Sequence, residues 1–410
     1  MMPRKAPLGQ RPFARRARFF GQGDDIMTAG GSIRPALAAC ALGLLAAACV
    51  DNREAVELPE PQSGHAVRAE ILVEGLEHPW GLAFLPDGSM LVTERPGRLR
   101  LVRDGALVDT PVSGVPDVFA QSQGGLFDVV PAPDFETSGI LYLSFARGTA
   151  ASNNTALYRA RYEDGALLDG EVIWQSHMDK RGGAHFGGRI AFLDDATLLL
   201  TLGDGFEFRE EAQNLENHFG TIVRLNADGS PASGNPLAAE AGALPDIWSY
   251  GHRNVQGIAV DPQTGIVWAH EHGPRGGDEL NIIEGGNNYG WPIVTAGLDY
   301  SGARISPFTA HGDAYTAPVR EWLPDSIAPS GLAVYRGEAF PGWDGDLLVG
   351  ALAGQALHRV RVENGAAVAE EVLLSDRGLR IRDVRVGPDG LVYVLSDHAN
   401  GAVLRLSPAD

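Results

Sequence analysis

Cysteine is nearly missing from this chain of 410 residues: there are two, Cys40 and Cys49, and none beyond. Disulfide staples and thiolate metal clusters are therefore excluded from everything downstream. Positive charge is scarce as well, with 33 Lys and Arg against 52 Asp and Glu and a formal net charge of −19. A body so acidic offers no basic face to phosphates, which argues against nucleic acid as a partner. Long apolar runs are lacking too. The longest, Ala36–Val50, falls short of the ~20 residues that a helix needs to cross a bilayer, so no transmembrane domain is expected.

That run suits the apolar segment of an export signal. Residues 1–26 add six basic side chains, Arg4, Lys5, Arg11, Arg15, Arg16 and Arg18, and Met27 followed by Arg34 makes a better start for such a signal than Met1. Residues 1–48 are read as a leader, with a periplasmic or outer-membrane-anchored product. LAAAC at 45–49 resembles a bacterial lipobox, with Ala three residues before the cysteine in place of Leu; LAAC at 37–40 fits better locally but lies inside the apolar run. A lipid anchor at Cys49 and free release by cleavage near Ala48 both stay open. Residues 49–64, with Pro59 and Pro61, read as a polar tether, and 65–410 as the folded domain.

Gly 52 and Pro 26 imply many turns, and 44% hydrophobic content is enough for a substantial core. One pattern recurs six times: an alternating strand, a turn rich in Pro, Asp and Gly, and a second strand. The copies are WGLAFLPDGSMLVTE from Trp80, GGLFDVVPAPDFETSGILYLSF from Gly124, FGGRIAFLDDATLLLTLGD from Phe186, VQGIAVDPQTGIVWAHE from Val255, SGLAVYRGEAFPGWDGDLLVGAL from Ser330 and IRDVRVGPDGLVYVLSD from Ile381. Each reads as a hairpin. Further strands between them (GRLRLV, NTALYRARYE, GTIVRLNADG, ALHRVRVENG and GAVLRLSP) bring each repeat to about four strands. Such a repeat buries its faces only by stacking on neighbours, which predicts an all-β fold, a six-bladed β-propeller with four-stranded antiparallel blades. HAVRAEILVEGL is expected to close the ring by pairing with the last blade.

The residue types that carry chemistry collect at the starts of the repeats. His185 sits among glycines in GGAHFGGR, where missing side chains let a ligand approach an imidazole. Gln123 precedes the second repeat, Arg253 and Asn254 the fourth, and Arg380 and Arg382 flank the start of the sixth with the two-residue spacing that sends both to one side of a strand. Arginines gathered at one mouth of an acidic ring call for an anionic ligand with carboxylates or a phosphate. The stretch EHGPRGGDELNIIEGGNNYGWP, holding Glu271, Asp278, Glu279 and Tyr289 among glycines, reads as a loop of oxygen donors of the kind that suits Ca²⁺, although it lacks the spacing of an EF-hand.

SYGHRN, EHGP, DELN, GGNNYGWP, HFGGR and RIRD together resemble the soluble quinoprotein glucose/aldose sugar dehydrogenase family, whose enzymes use pyrroloquinoline quinone (PQQ). The resemblance runs from about His78 to the C-terminus and implies a six-bladed propeller, in agreement with the repeats. It implies that His185 is the base for the sugar C1 hydroxyl, that Arg253 lies beside the quinone oxygens with Asn254 next to it, and that Gln123, Tyr300, Arg380 and Arg382 hold the cofactor. Gly273 and Pro274 match backbone ligands of a Ca²⁺ on PQQ, and Glu279 and Tyr289 ligands of a further Ca²⁺. The implied partners are an aldose substrate and an external electron acceptor, quinone or dye-like. Where the glucose-oxidising branch has an acid before the histidine and a lysine after the fifth hairpin, this chain has Ala184 and Ala353, which points to the broader aldose branch. Ala351, Leu352 and Ala353 would then meet the cofactor through backbone and small side chains. Two other readings remain: a calcium-dependent lactonase, which needs carboxylate or amide ligands in the channel, and a non-catalytic propeller that binds glycans or partners.

Overall fold

All six repeated units form antiparallel hairpins in the structure, a computed structural model that describes residues 56–61, 66–177 and 179–409. The leader, both cysteines and most of the tether lie outside those residues. The first strands of the hairpins, Pro79–Phe84, Leu126–Pro131, Ile190–Phe192, Val255–Val260, Pro329–Val334 and Ile381–Val386, contact one another around a ring and so line the axis. Outside each hairpin lie two more strands, and the chain folds as a propeller of six four-stranded antiparallel blades.

The outer strands read from the sequence form where expected, as Arg98–Arg103, Ser152–Glu163, Thr221–Leu225, Ala356–Glu363 and Gly401–Pro408. In the sixth blade Gly401–Pro408 pairs with Val67–Leu76, from Leu76 opposite Gly401 to Val67 opposite Pro408. The closing strand thus comes from the other end of the chain and is the outermost strand of the sixth blade. One expectation is corrected. The stretch after Glu271 is no continuous loop: Asp278–Ile282 is the third strand of blade 4, paired with Val267–Glu271 and Arg320–Trp322. Its charged residues hid it, because Asp278 and Glu279 are buried on a strand where alternation would predict apolar side chains.

The core lies between blades rather than within them, because each sheet is too thin to cover its own faces. Leu91 and Leu99 of blade 1 pack on Leu141, Leu143 and Phe145 of blade 2; Tyr335, Phe340 and Trp343 of blade 5 pack on Val384 and Val394 of blade 6. Truncating a fully buried leucine such as Leu91 to Ala would cost about 2–5 kcal/mol. Among the described residues no helix is long and apolar enough to cross a membrane.

A local irregularity shapes the axis. The pairing of the inner strand with its neighbour slips at Pro79/Leu82, Leu126/Val129, Val255/Gly257, Ser330/Leu332 and Ile381/Asp383. Each slip is a bulge that re-aims a side chain. Trp80, Phe127, Gln256 and Arg382 fall in these slips, and all four face the same cavity.

Candidate active site

That cavity, about 650 Å³, opens beside the starts of the inner strands. Its apolar wall is Trp80, Phe127, Phe186 and Leu352, with the Trp80 and Phe127 rings 5.2 Å apart. Its polar wall is Gln123, Asn254, Gln256 and the guanidinium groups of Arg95, Arg380 and Arg382.

Arg382 is deeply placed. Its Nη2 donates to Asp397 at 2.8 Å and its Nη1 to the Ser330 hydroxyl at 3.3 Å, while its buried Nε has no acceptor. Arg380, half exposed, donates to the Leu352 carbonyl at 3.1 Å and reaches the same Asp397 oxygen at 3.5 Å. Burial would push the Asp397 carboxyl up, but the Arg382 guanidinium and a 3.0 Å bond with His78 hold it well below the usual carboxylate range. One carboxylate therefore serves two guanidinium groups. The surplus positive charge and the unsatisfied N–H suit a ligand with carboxylates.

His185, followed by the cavity-lining Phe186 and Gly187, has φ 55, a left-handed conformation unusual for a residue with a side chain. Gln123 accepts from its backbone N–H at 2.8 Å, and Asn254 accepts from that of Gly187 at 3.2 Å. A side chain at Gly187, φ 66, would begin 2.4 Å from the Thr201 carbonyl, so the turn admits glycine alone. The imidazole Nδ1 lies 2.7 Å from Asp204 Oδ1, and Trp291 donates to Asp204 Oδ2 at 2.9 Å. Burial depresses the His185 pKa below its ordinary value; the bond to Asp204 opposes this, and the cations Arg253 and Lys180 reinforce it. Burial would raise Asp204, but its bond and attraction to His185 keep it lowered and ionised. An ionised carboxylate accepts only, so Nδ1 carries the proton and Nε2 is the free basic nitrogen.

Arg253 occupies the other side of Trp291, its guanidinium 5.3 Å from that ring. It donates to the carbonyls of His272 at 3.0 Å and Gly273 at 2.6 Å and to the Tyr300 hydroxyl at 3.2 Å. The backbone N–H of Arg253 is held by Glu271, which also binds His252 at 2.9 Å. The carbonyl of Arg253 in turn accepts from the Asp204 N–H at 2.8 Å, which ties the arginine to the histidine's partner.

Of the residues expected from the sequence, Gln123, Asn254, Leu352, Arg380 and Arg382 line the cavity; His185 and Arg253 do not, although their chain neighbours Phe186, Gly187 and Asn254 do. Ala351 and Ala353 do not. Ala351 ends a strand opposite Pro329 and is fully buried, whereas Ala353 is exposed in the following turn. Tyr300 is an outer neighbour of Arg253, 62% exposed. Gly273 and Pro274 make a turn fixed by Asp278, which accepts from the Gly273 N–H at 2.7 Å and whose pKa burial raises to about 6. Glu279 sits opposite both Glu271 and Glu321 in its sheet, and burial beside those carboxylates drives its pKa well up. The Tyr289 hydroxyl donates to the Ile282 carbonyl at 2.7 Å and accepts from the Glu284 N–H at 2.9 Å.

Sequence reasoning overlooked Trp80, Asp204, Gln256, Trp291 and Asp397. For the acids a signal exists: four of the repeats close on one, Glu94, Asp204, Glu271 and Asp397. Each reaches back to the start of a hairpin, where it binds Glu77 N–H, His185, Arg253 N–H and His78 respectively.

The sequence profile of the Glucose / Sorbosone dehydrogenase family matches residues 76–405. Aldose sugar dehydrogenase YliI of Escherichia coli is 43% identical over 347 residues, 83% of this chain and 93% of that protein. The crystal structure of the soluble aldose sugar dehydrogenase from Escherichia coli in the apo form superposes with a TM-score of 0.81 at 42% identity, covering 84% of this chain and all of that one. The PQQ-bound aldose sugar dehydrogenase of Streptomyces coelicolor gives 0.69 at 28% identity, over 85% of this chain and all of the other.

Proposed function

Because the chain belongs to the glucose/sorbosone dehydrogenase family, we propose that it is a PQQ-dependent aldose sugar dehydrogenase that oxidises C1 of the sugar to a lactone. The observation that carries this is the neutral imidazole of His185, fixed by Asp204, with the next residues Phe186 and Gly187 in the wall of a cavity that holds surplus arginine charge. A planar quinone with three carboxylates suits that cavity: flat aromatic walls on one side, and on the other Arg380 and the partnerless Nε of Arg382. When bound, PQQ supplies the two-electron acceptor for a hydride.

His185 Nε2 takes the proton of the C1 hydroxyl, and loss of that proton together with the C1 hydride leaves the lactone carbonyl. Asp204 keeps the other ring nitrogen protonated and stabilises the imidazolium that forms. Arg253 holds a fixed positive charge beside the Trp291 ring, positioned to favour negative charge developing on the acceptor side. Trp80, Phe127 and Phe186 exclude water from the same space. The electron acceptor is proposed to be an external quinone or dye-like molecule, and the protein to be exported, either free in the periplasm or anchored to the outer membrane.

Calcium rests on the resemblance. The Gly273 carbonyl is engaged by Arg253, the Tyr289 hydroxyl is engaged by backbone, and no three His, Cys, Asp or Glu among the described residues are grouped for a metal. With two of the donors holding protein partners, the chemistry above is assigned to side chains alone. Gly273, Pro274, Glu279 and Tyr289 stand as the proposed ligands. A melting temperature of chelator-treated protein that rises on adding Ca²⁺ supports them, and one that does not move removes them. The lactonase reading finds little here: Asp128 and Asp383, the carboxylates at the axis, are neutralised by Arg189 and Arg385.

The test is dye reduction by purified protein given PQQ, with and without Ca²⁺, across several aldoses. Activity should require PQQ and collapse in His185→Ala. Lactone cleavage without cofactor, or inertness after loading, would overturn the proposal.

A further inference from the structure

Phe206 is an anomaly of placement. It follows Gly205 with a φ of 69, a region that favours glycine, and a phenyl-bearing residue stays there only when its surroundings compel it. Nor does the ring gain burial by this. It is 48% exposed, and its neighbour Tyr300 is 62% exposed.

What compels the backbone is Asp204, whose Oδ1 accepts from the Phe206 N–H at 2.7 Å while also holding His185. The phenyl ring stands perpendicular to the imidazole, centroids 5.0 Å apart at 89°. Tyr300 lies 6.3 Å from the phenyl ring at 30°, and its hydroxyl accepts from Arg253 Nη2 at 3.2 Å. Two exposed aromatic rings are therefore anchored to Asp204 and Arg253, the groups that organise the chemistry. Exposed strain at such a point serves a ligand rather than the fold.

We propose that the Phe206 ring is the platform on which the substrate's pyranose ring rests, with Tyr300 as its outer wall. This rests on the sugar dehydrogenase reading above. A pyranose carries a face of C–H bonds that packs on the negative face of an aromatic ring, while its equatorial hydroxyls point to water. Laid on Phe206, the sugar has its edge beside the imidazole that receives the C1 proton. Stacking reads the flatness of that C–H face rather than individual hydroxyls. The platform therefore accepts several aldoses with equatorial substituents and disfavours those with an axial hydroxyl against the ring.

Phe206→Gly is the decisive variant, since it removes the ring and places at φ 69 the residue this backbone prefers. It should fold with an unchanged or higher melting temperature. In PQQ-loaded protein the KM for glucose should rise about five- to tenfold, with kcat changed less than about twofold, the size of one lost aromatic contact. Methyl β-D-glucoside has the ring but no C1 hydroxyl to oxidise, so its competitive inhibition constant should rise by the same factor. Phe206→Tyr should restore both constants, because the ring face returns.

Equal KM and inhibition constants in Phe206→Gly and the parent protein overturn the platform while leaving the dehydrogenase intact. Should the loaded parent protein oxidise no aldose, the functional reading fails instead. Saturation-transfer NMR with methyl β-D-glucoside then decides the platform alone, since transfer to the sugar's C–H protons must vanish in Phe206→Gly.

Discussion

His185 Nδ1 and Asp204 Oδ1 meet at 2.7 Å with both side chains almost wholly buried. The pair decides which ring nitrogen is basic, because a carboxylate can only accept. Asp204→Asn replaces that acceptor by an amide able to donate, which turns the imidazole toward the other tautomer. A kcat about a hundredfold lower or worse is expected, with binding of cofactor retained. The pH dependence carries a sign. His185 acts in its neutral form and burial lowers its pKa, so activity persists as pH falls through 6.5 and is lost only below, at the lowered value. Asp204 opposes that lowering, and its loss should shift the acid limb of kcat/KM further down. Rate profiles for both proteins between pH 4 and 8 check the direction.

Arg382 has one strong acidic partner, Asp397, and a buried Nε with none. Arg382→Gln keeps a polar side chain of similar reach but removes the charge. PQQ binding, read from quenching of tryptophan fluorescence with Trp80 in the cavity wall, should weaken about ten- to a hundredfold, the range of one charge-assisted bond. Arg385 lies on the same strand but binds Asp128 and Asp383; if Arg385→Gln weakens PQQ binding as much while Arg382→Gln does not, the anion site has been put on the wrong arginine.

The propeller was legible because its signal is repetition: six similar hairpins bury their faces by stacking radially on one another, and even the closing strand could be read. The site was legible where a residue type is rare or flanked by glycine, as with His185, Arg253 and the Arg380/Arg382 pair. Two things hid the remainder. The bulges on the inner strands change which side chains face the axis, so alternation did not reveal Trp80, Gln256 or Arg382's neighbours. Of Ala351, Leu352 and Ala353 only Leu352 lines the cavity, because a strand end and a turn present side chains in different directions. Asp278–Ile282 was missed because buried acids on a strand imitate a loop; Asp278 is held there by Ser326 and backbone N–H groups that no local pattern announces.

His270 gives the fold a pH dependence of its own. It is fully buried, donates from Nε2 to the Gly331 carbonyl at 2.9 Å, and burial lowers its pKa to about 4. The ring fills the space left by Gly257, where a side chain would begin 2.2 Å from that Nε2. The unfolded chain binds a proton at this residue below about pH 6.5 and the folded protein only below about 4, so stability falls as pH drops through that window, by roughly 3 kcal/mol. Below pH 4 both states are protonated and the loss is complete. His270→Gln, which cannot titrate, should make the denaturation midpoint fall less across pH 6.5 to 4 than in the parent protein, even if it is less stable at pH 7.

On the far side of the Trp80 ring, 3.9 Å from its centroid, the Arg189 guanidinium joins five blades. From blade 3 it donates to Asp383 of blade 6 at 2.8 Å, to the Gln256 carbonyl of blade 4 at 2.9 Å and to the Arg382 carbonyl at 2.8 Å, and lies 3.8 Å from Asp128 of blade 2. Arg385 completes the square by binding both acids. A buried pair of this kind adds little net stability over an apolar replacement of the whole, but removal of one member strands a charge. Arg189→Met, close in volume, should therefore lower stability by about 3–5 kcal/mol, seen as an earlier urea midpoint. Because Gln256 and Arg382 are bulge residues whose carbonyls Arg189 holds, the same variant should weaken PQQ binding without touching the cofactor. A Met variant with parental midpoint and parental affinity would show that the blades set the axis alone and that the arginine merely fills it.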